Sequence, residues 1–192
     1  MLPQAPQIDL QNARFPVERL IEEDEGYWRV AYVKPRNEKA LAAQCQDMGV
    51  GFYLPLYEKR TRRKDTGKLR KSVLPLFPGY FPFVDRDGGR LKILGTNRIV
   101  HILDVPDQAQ FVYDLSQIWQ ASRKGADMQP CAHFETGEKV RIGEGPMQGL
   151  VGIIEKTLKS TRLLLTVEMF NMAVSVELDQ VSVEKLHESP AR

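Results

Sequence analysis

Three histidines, two cysteines and 25 acidic side chains are the groups through which this 192-residue chain could ligate a metal or move a proton. Their spacing argues against both. His101, His133 and His187 lie far apart, and Cys131-Ala132-His133 has no second pair at zinc-site spacing. No phosphate-cradling P-loop and no Gly-x-Ser-x-Gly elbow occurs, and no two carboxylates are spaced as an acid and base pair. The expectation is a protein with no catalytic residues, no metal and no cofactor. The chemistry on offer is charge. Eight of the thirteen residues 59–71 are basic, and Arg60, Arg62, Arg63 and Lys64 lead the run. Close to a nucleic acid they would give a salt-sensitive attraction without base reading; a plainly solvated tip is the alternative.

The elements that must carry these groups can be read from period and turn signals. Tyr27 to Val33 is aromatic and β-branched with apolar residues on both faces, a covered central strand. Pro35 ends it. Residues 36–48 read as a helix, with Leu41, Cys45 and Met48 at helical spacing and Gly49 as the stop. Residues 52–57 form a second strand, at an edge or interrupted because of Pro55. The basic run follows, turning near Asp65-Thr66-Gly67. It returns through residues 73–84, an apolar stretch broken by Pro75, Pro78 and Pro82. A short helix around residues 91–94, a strand over 98–103 and an amphipathic helix over 107–124 complete a first domain. That helix carries Phe111, Val112, Leu115, Ile118 and Trp119 on one face. The fold class expected here is α+β, an antiparallel sheet with flanking helices.

Residues 125–133 have no period and read as a linker. Beyond them come five short strands, with turns at Gly143-Glu144-Gly145-Pro146 and Lys159-Ser160, enough only for a small β-barrel. The domain plan is therefore a disordered acidic tail (1–26), an α+β domain (27–124), a linker (125–133), a barrel (134–187) and a tail (188–192). Net charge is −4 over residues 1–26, +9 over 27–124 and −3 over 125–192, which sets the middle segment beside a polyanion. No apolar run approaches a membrane span and the start lacks the features of a secretory signal. Two cysteines suit a reducing compartment. A cytoplasmic, monomeric protein without membrane contact is expected.

Two sets of residues resemble the NusG family of transcription elongation factors, and its specialised RfaH-like members in particular. Gly137-Glu138-Lys139-Val140-Arg141-Ile142 with Gly145-Pro146-Met147-Gln148-Gly149-Leu150-Val151-Gly152 is similar to the family's KOW motif. Trp28 with Lys34-Pro35-Arg36-Asn37-Glu38, and Pro75-Leu76-Phe77-Pro78-Gly79-Tyr80, is similar to its N-terminal (NGN) domain. The resemblance implies an N-terminal domain that binds the clamp of the largest RNA polymerase subunit through an apolar patch, here Phe77, Tyr80 and Phe81. It implies non-template DNA contact at Lys34, Arg36 and Asn37, helped by the basic hairpin. It also implies a barrel that meets a small-subunit ribosomal protein or the termination factor Rho through Met147, Leu150 and Phe170. Pro82 departs from the pattern and puts the strand register after Tyr80 in question. A general NusG acting on all genes, and a KOW-containing RNA-binding or ribosome-associated module, are the alternatives.

Overall fold

The computed structural model describes residues 8–10, 13–65, 67–131, 137–156, 161–178 and 183–185. The elements are β1 (Arg14–Phe15), β2 (Tyr27–Val33), α1 (Glu38–Met48), β3 (Phe52–Tyr53), β4 (Leu56–Arg62), β5 (Leu69–Pro75), β6 (Tyr80–Asp85), α2 (Gly89–Gly95), β7 (Ile99–Asp104), α3 (Gln108–Arg123), β8 (Met128–Cys131), β9 (Lys139–Ile142), β10 (Val151–Lys156), β11 (Thr161–Val167), β12 (Met172–Leu178) and β13 (Val183–Lys185). The class is mixed α+β, as expected. No helix among the described residues is long and apolar enough to cross a membrane. His133, His187, the Lys159-Ser160 turn and the 188–192 tail lie outside the described residues.

The chain divides into two compact units, residues 1–108 and 109–192, where the sequence suggested a first domain reaching 124. In the first unit an antiparallel sheet runs in the order β1-β3-β6-β2-β7, and β4 and β5 form a separate two-stranded ribbon. β2 lies inside the sheet with Trp28, Val30, Ala31 and Val33 buried, matching its apolar residues on both faces. Helix α1 buries Leu41, Ala42, Ala43 and Cys45 against Phe52, Phe81, Phe83 and Ile93. It starts at Glu38 rather than at residue 36, because Arg36 takes a positive φ of 63°, which no helix accommodates. Gly49, at φ 67°, ends it as a left-handed cap should.

Two prolines decide the strand layout. Pro55 splits the expected strand at residues 52–57 into β3 and β4. Pro82 sits inside β6 without disturbing its register against β2, which is continuous from Tyr32↔Tyr80 to Tyr27↔Asp85. The reason is one of sides. Val84 N–H donates to Gly51 O at 2.8 Å, and alternate residues turn their N–H the same way. Pro82 therefore withholds its donor from β3, whose pairing with β6 is limited to Phe52↔Phe83.

The acidic start is not a tail throughout. β1 pairs with β3 at the sheet edge, and Ile8, Ala13 and Ile21 are buried. The Arg14 side chain is wholly buried and donates to Asp24 Oδ2 at 2.9 Å and to the carbonyls of Arg19 and Leu20. A buried cation needs an acid and further acceptors, and the acidic run supplies that acid.

In the second unit the strands form one antiparallel sheet in the order β13-β9-β10-β11-β12-β8. β8 falls within the expected linker. It pairs with β12 from Val176↔Met128 to Ala173↔Cys131, and its edge position is what tolerates Pro130. Gly152 is required by a close approach: a Cβ there would stand 2.4 Å from Leu164 O. Helix α3 clusters with this sheet. Its Gln117 Oε1 accepts from Val151 N–H at 2.9 Å, its Asp114 Oδ2 accepts from Glu168 N–H at 3.0 Å, and Phe111 meets Phe170 edge-on at 5.7 Å.

Candidate functional site

In the first unit a groove of about 650 Å³ opens between β2, the start of α1, the base of the β4–β5 ribbon and the turn before β6. Alternation along β2 creates it. Ala31 and Val33 point into the core, so Tyr32 between them is turned outward and is 39% exposed. The Tyr32 ring packs edge-on against Tyr80 at 5.7 Å and stacks on His101 at 5.2 Å. Gly79 is the residue that permits this. It adopts φ 86°, and a Cβ there would lie 3.2 Å from the Tyr32 ring. The Pro78-Gly79 turn is held by α1, since the buried Glu38 accepts from Gly79 N–H at 3.0 Å. Tyr57, Leu74, Pro78 and Val100 complete an apolar lining, with Arg36 and Lys39 at its rim. Partial burial lowers the Lys39 pKa below that of a free lysine.

Of the three aromatics expected to form an apolar patch, only Tyr80 escapes burial, and it packs on Tyr32 beside the groove. Phe77 and Phe81 are core residues, 1% and 0% exposed. Phe81 points inward because neighbours in a strand alternate faces, and it stacks on Phe52 at 5.3 Å. Tyr32, Leu74 and Val100 were missed. Strand parity gave no signal for Tyr32, which shares its face of β2 with the buried Trp28 and Val30.

The three residues between β2 and α1 have different fates. Lys34 Nζ donates to Asn97 O at 2.7 Å. Asn37 donates to Pro35 O and accepts from Arg98 Nη1 at 2.7 Å, while Arg98 Nε donates to Gln44. Lys34 and Asn37 thus fasten this connection to the chain entering β7. Arg36 is exposed and makes no hydrogen bond or ion pair to the described residues.

The basic hairpin exists as expected, in register from Leu56↔Pro75 to Arg62↔Leu69 and closed by Arg63 N–H to Lys68 O at 3.0 Å. Arg60 and Lys71 face each other across the ribbon, a repulsive placement. Glu58 relieves it by accepting from Arg60 Nε at 2.7 Å and pairing with Lys71 Nζ at 3.3 Å. The Arg60 hydrogen bond, then Lys71, holds the Glu58 carboxyl below its ordinary range. Arg63 pairs with Asp65 at 3.0 Å. Of the four hairpin cations singled out by sequence, Arg62 and Lys64 are without an ionic partner among the described residues.

In the second unit Leu150 and Phe170 are buried, 0% and 6% exposed. They belong to the core, Phe170 through its contact with Phe111, and Met147 alone of the expected trio is half-exposed. Asp114 is the electrostatically unusual group. Burial pushes its carboxyl up to about 6, while the Glu168 N–H and the Gln110 amide pull it down and the Glu168 carboxylate raises it. Among the described residues no three His, Cys, Asp or Glu side chains converge as a metal site.

Residues 26–122 match the family model described as NusG, transcription termination factor. The chain is 30% identical over 129 residues to the transcription termination/antitermination protein NusG of Escherichia coli K12, covering 62% of this chain and 70% of that protein. The NusG of Yersinia pestis matches to the same extent. Among solved structures, one titled for domain interaction in Thermotoga maritima NusG aligns over 84% of this chain and 97% of that one, at 18% identity and a TM-score of 0.46.

Proposed function

The chain belongs to the NusG family of transcription factors, and on that footing we propose that it is an elongation and antitermination factor of the specialised, RfaH-like kind. Members of the family act in transcription elongation and termination and are not enzymes. In this reading the groove beside Tyr32 and Tyr80 receives a helical element of the largest RNA polymerase subunit, as apolar grooves receive amphipathic helices. The observation that carries it is the groove itself: about 650 Å³, with an apolar lining, open to solvent and built within the segment that matches the family.

The mechanism is a population shift. A factor that binds the elongating state more tightly than the paused one suppresses pausing by that difference in affinity, about 1.4 kcal/mol for each tenfold. Arg36 is the residue best disposed to reach exposed non-template DNA, because Lys34 and Asn37 are already engaged. The C-terminal sheet, with Met147 half-exposed in its Gly-Pro turn, carries the KOW-like motif through which a ribosomal protein or Rho is met.

Single-round transcription by the cognate polymerase, on templates with and without the leader of the neighbouring operon, tests this. Faster passage through pauses on one leader, abolished by Tyr80→Ala or Tyr32→Ala, is expected. An equal effect on every template would establish a general factor instead, the reading favoured by the 30% identity to the Escherichia coli protein. Absence of any effect, with no binding to polymerase, would overturn both.

A further inference from the structure

The β4–β5 ribbon pairs with no third strand, and its described residues from Lys59 to Lys71 are exposed. Both its faces are therefore available. Register and alternation distribute the side chains: Lys59, Thr61, Arg70 and Ser72 share one face, and Arg60, Arg62, Leu69 and Lys71 the other. Once the Glu58 and Asp65 pairs are set aside, five cations have no ionic partner among the described residues. Lys59 and Arg70 lie on one face, Arg62 on the other, and Lys64 and Lys68 at the tip.

Two features of this arrangement, taken with the groove widths of nucleic acids, select a ligand. Residues 58–72 contain no aromatic side chain, so the ribbon lacks the stacking platforms with which proteins hold single strands. Free cations on both faces and the tip suit a site with phosphates on either side, as between the two walls of a groove. The major groove of B-form DNA, about 12 Å wide, admits a two-stranded ribbon, whereas the A-form major groove of duplex RNA is deep and too narrow for side-chain entry.

We infer that the β4–β5 ribbon is a docking element for duplex DNA, entering the major groove with Lys59, Arg62, Lys64, Lys68 and Arg70 as phosphate contacts. The inference deepens the reading of the ribbon as a nucleic-acid-facing element and names the form of nucleic acid. Contact is to the backbone, so affinity varies little with sequence.

The test uses the full chain without polymerase. Fluorescence anisotropy is followed with a labelled duplex DNA, its single strand and an RNA duplex of the same sequence, from about 50 to about 200 mM salt. Duplex DNA is expected to bind tightest, with a slope of log K against log salt of about −4.5 for five contacts. Lys64→Gln combined with Lys68→Gln should flatten that slope by about 2 while the unfolding midpoint stays unchanged. Equal or tighter binding of the single strand or the RNA duplex, or a slope that the double substitution leaves alone, overturns the inference. Polymerase binding is measured beside it with Tyr32→Ala. If Tyr32→Ala leaves polymerase binding unchanged while the duplex preference stands, the groove reading falls and this one holds; if Tyr32→Ala weakens polymerase binding and the duplex preference is absent, this one alone falls.

Discussion

Tyr32 illustrates how much a single outward-facing ring can organise. It touches Tyr80 and His101 and requires glycine at position 79, so its removal opens the groove wall without emptying the core. Tyr32→Ala should weaken polymerase binding by about tenfold or more, the cost of truncating an interface aromatic being about 2 kcal/mol, with little change in the unfolding midpoint; titration with the cognate polymerase reads this out. Phe170 presents the opposite case. It is buried against Phe111, and Phe170→Ala should cost about 3–5 kcal/mol of stability, whereas Met147→Ala, at a half-exposed turn, should cost less than about 1 kcal/mol. Urea unfolding of the two variants separates a core residue from a surface one.

Among the elements, the N-terminal strap and helix α3 each carry a buried ionisable group. The Arg14–Asp24 pair is shut away from solvent at 0% and 2% side-chain exposure. Arg14→Ala leaves Asp24 buried without its cation, and a loss of about 3–5 kcal/mol is expected, measurable as a drop in unfolding free energy. Helix α3 carries Asp114, whose folded-state pKa of about 6 lies above its unfolded value of 3.8. A raised pKa contributes stability that is complete below 3.8, shrinks as the pH climbs toward about 6, and is gone above that. Its size is about 2 kcal/mol after allowance for partial solvent access. The stability difference between the wild-type protein and Asp114→Asn should therefore change between about pH 4 and about pH 6 and be level above it. A pH-independent difference would show that Asp114 does not titrate as its surroundings dictate.

For the molecule as a whole, two kinds of force are kept on separate surfaces of the first unit. The groove is apolar, and the ribbon holds eight cations against one acid over residues 59–71. Raising salt from about 50 to about 200 mM should weaken duplex binding by about 10² to 10³. Binding at the groove should change little and show a negative heat-capacity change, the mark of apolar burial. Calorimetry with polymerase and with duplex DNA, at two salt concentrations, distinguishes them.

Much of this was legible beforehand because it is local. The β2 strand, the α3 helix, the ribbon and the α+β class follow from period, turn residues and charge density, which short stretches of chain express by themselves. The order of the strands was not local. Whether the acidic start folds depended on a buried Arg14 meeting an acid ten residues away. Whether Phe77, Phe81, Leu150 and Phe170 faced outward depended on what lay across from them, which no segment of sequence contains. Composition, period and turn signals determined the charge pattern and the α+β class, and the resemblance of two motif sets pointed to the NusG family that the family match then showed. Only tertiary packing decided which aromatics remain on the surface, because burial is a property of the neighbours a side chain acquires and not of the side chain.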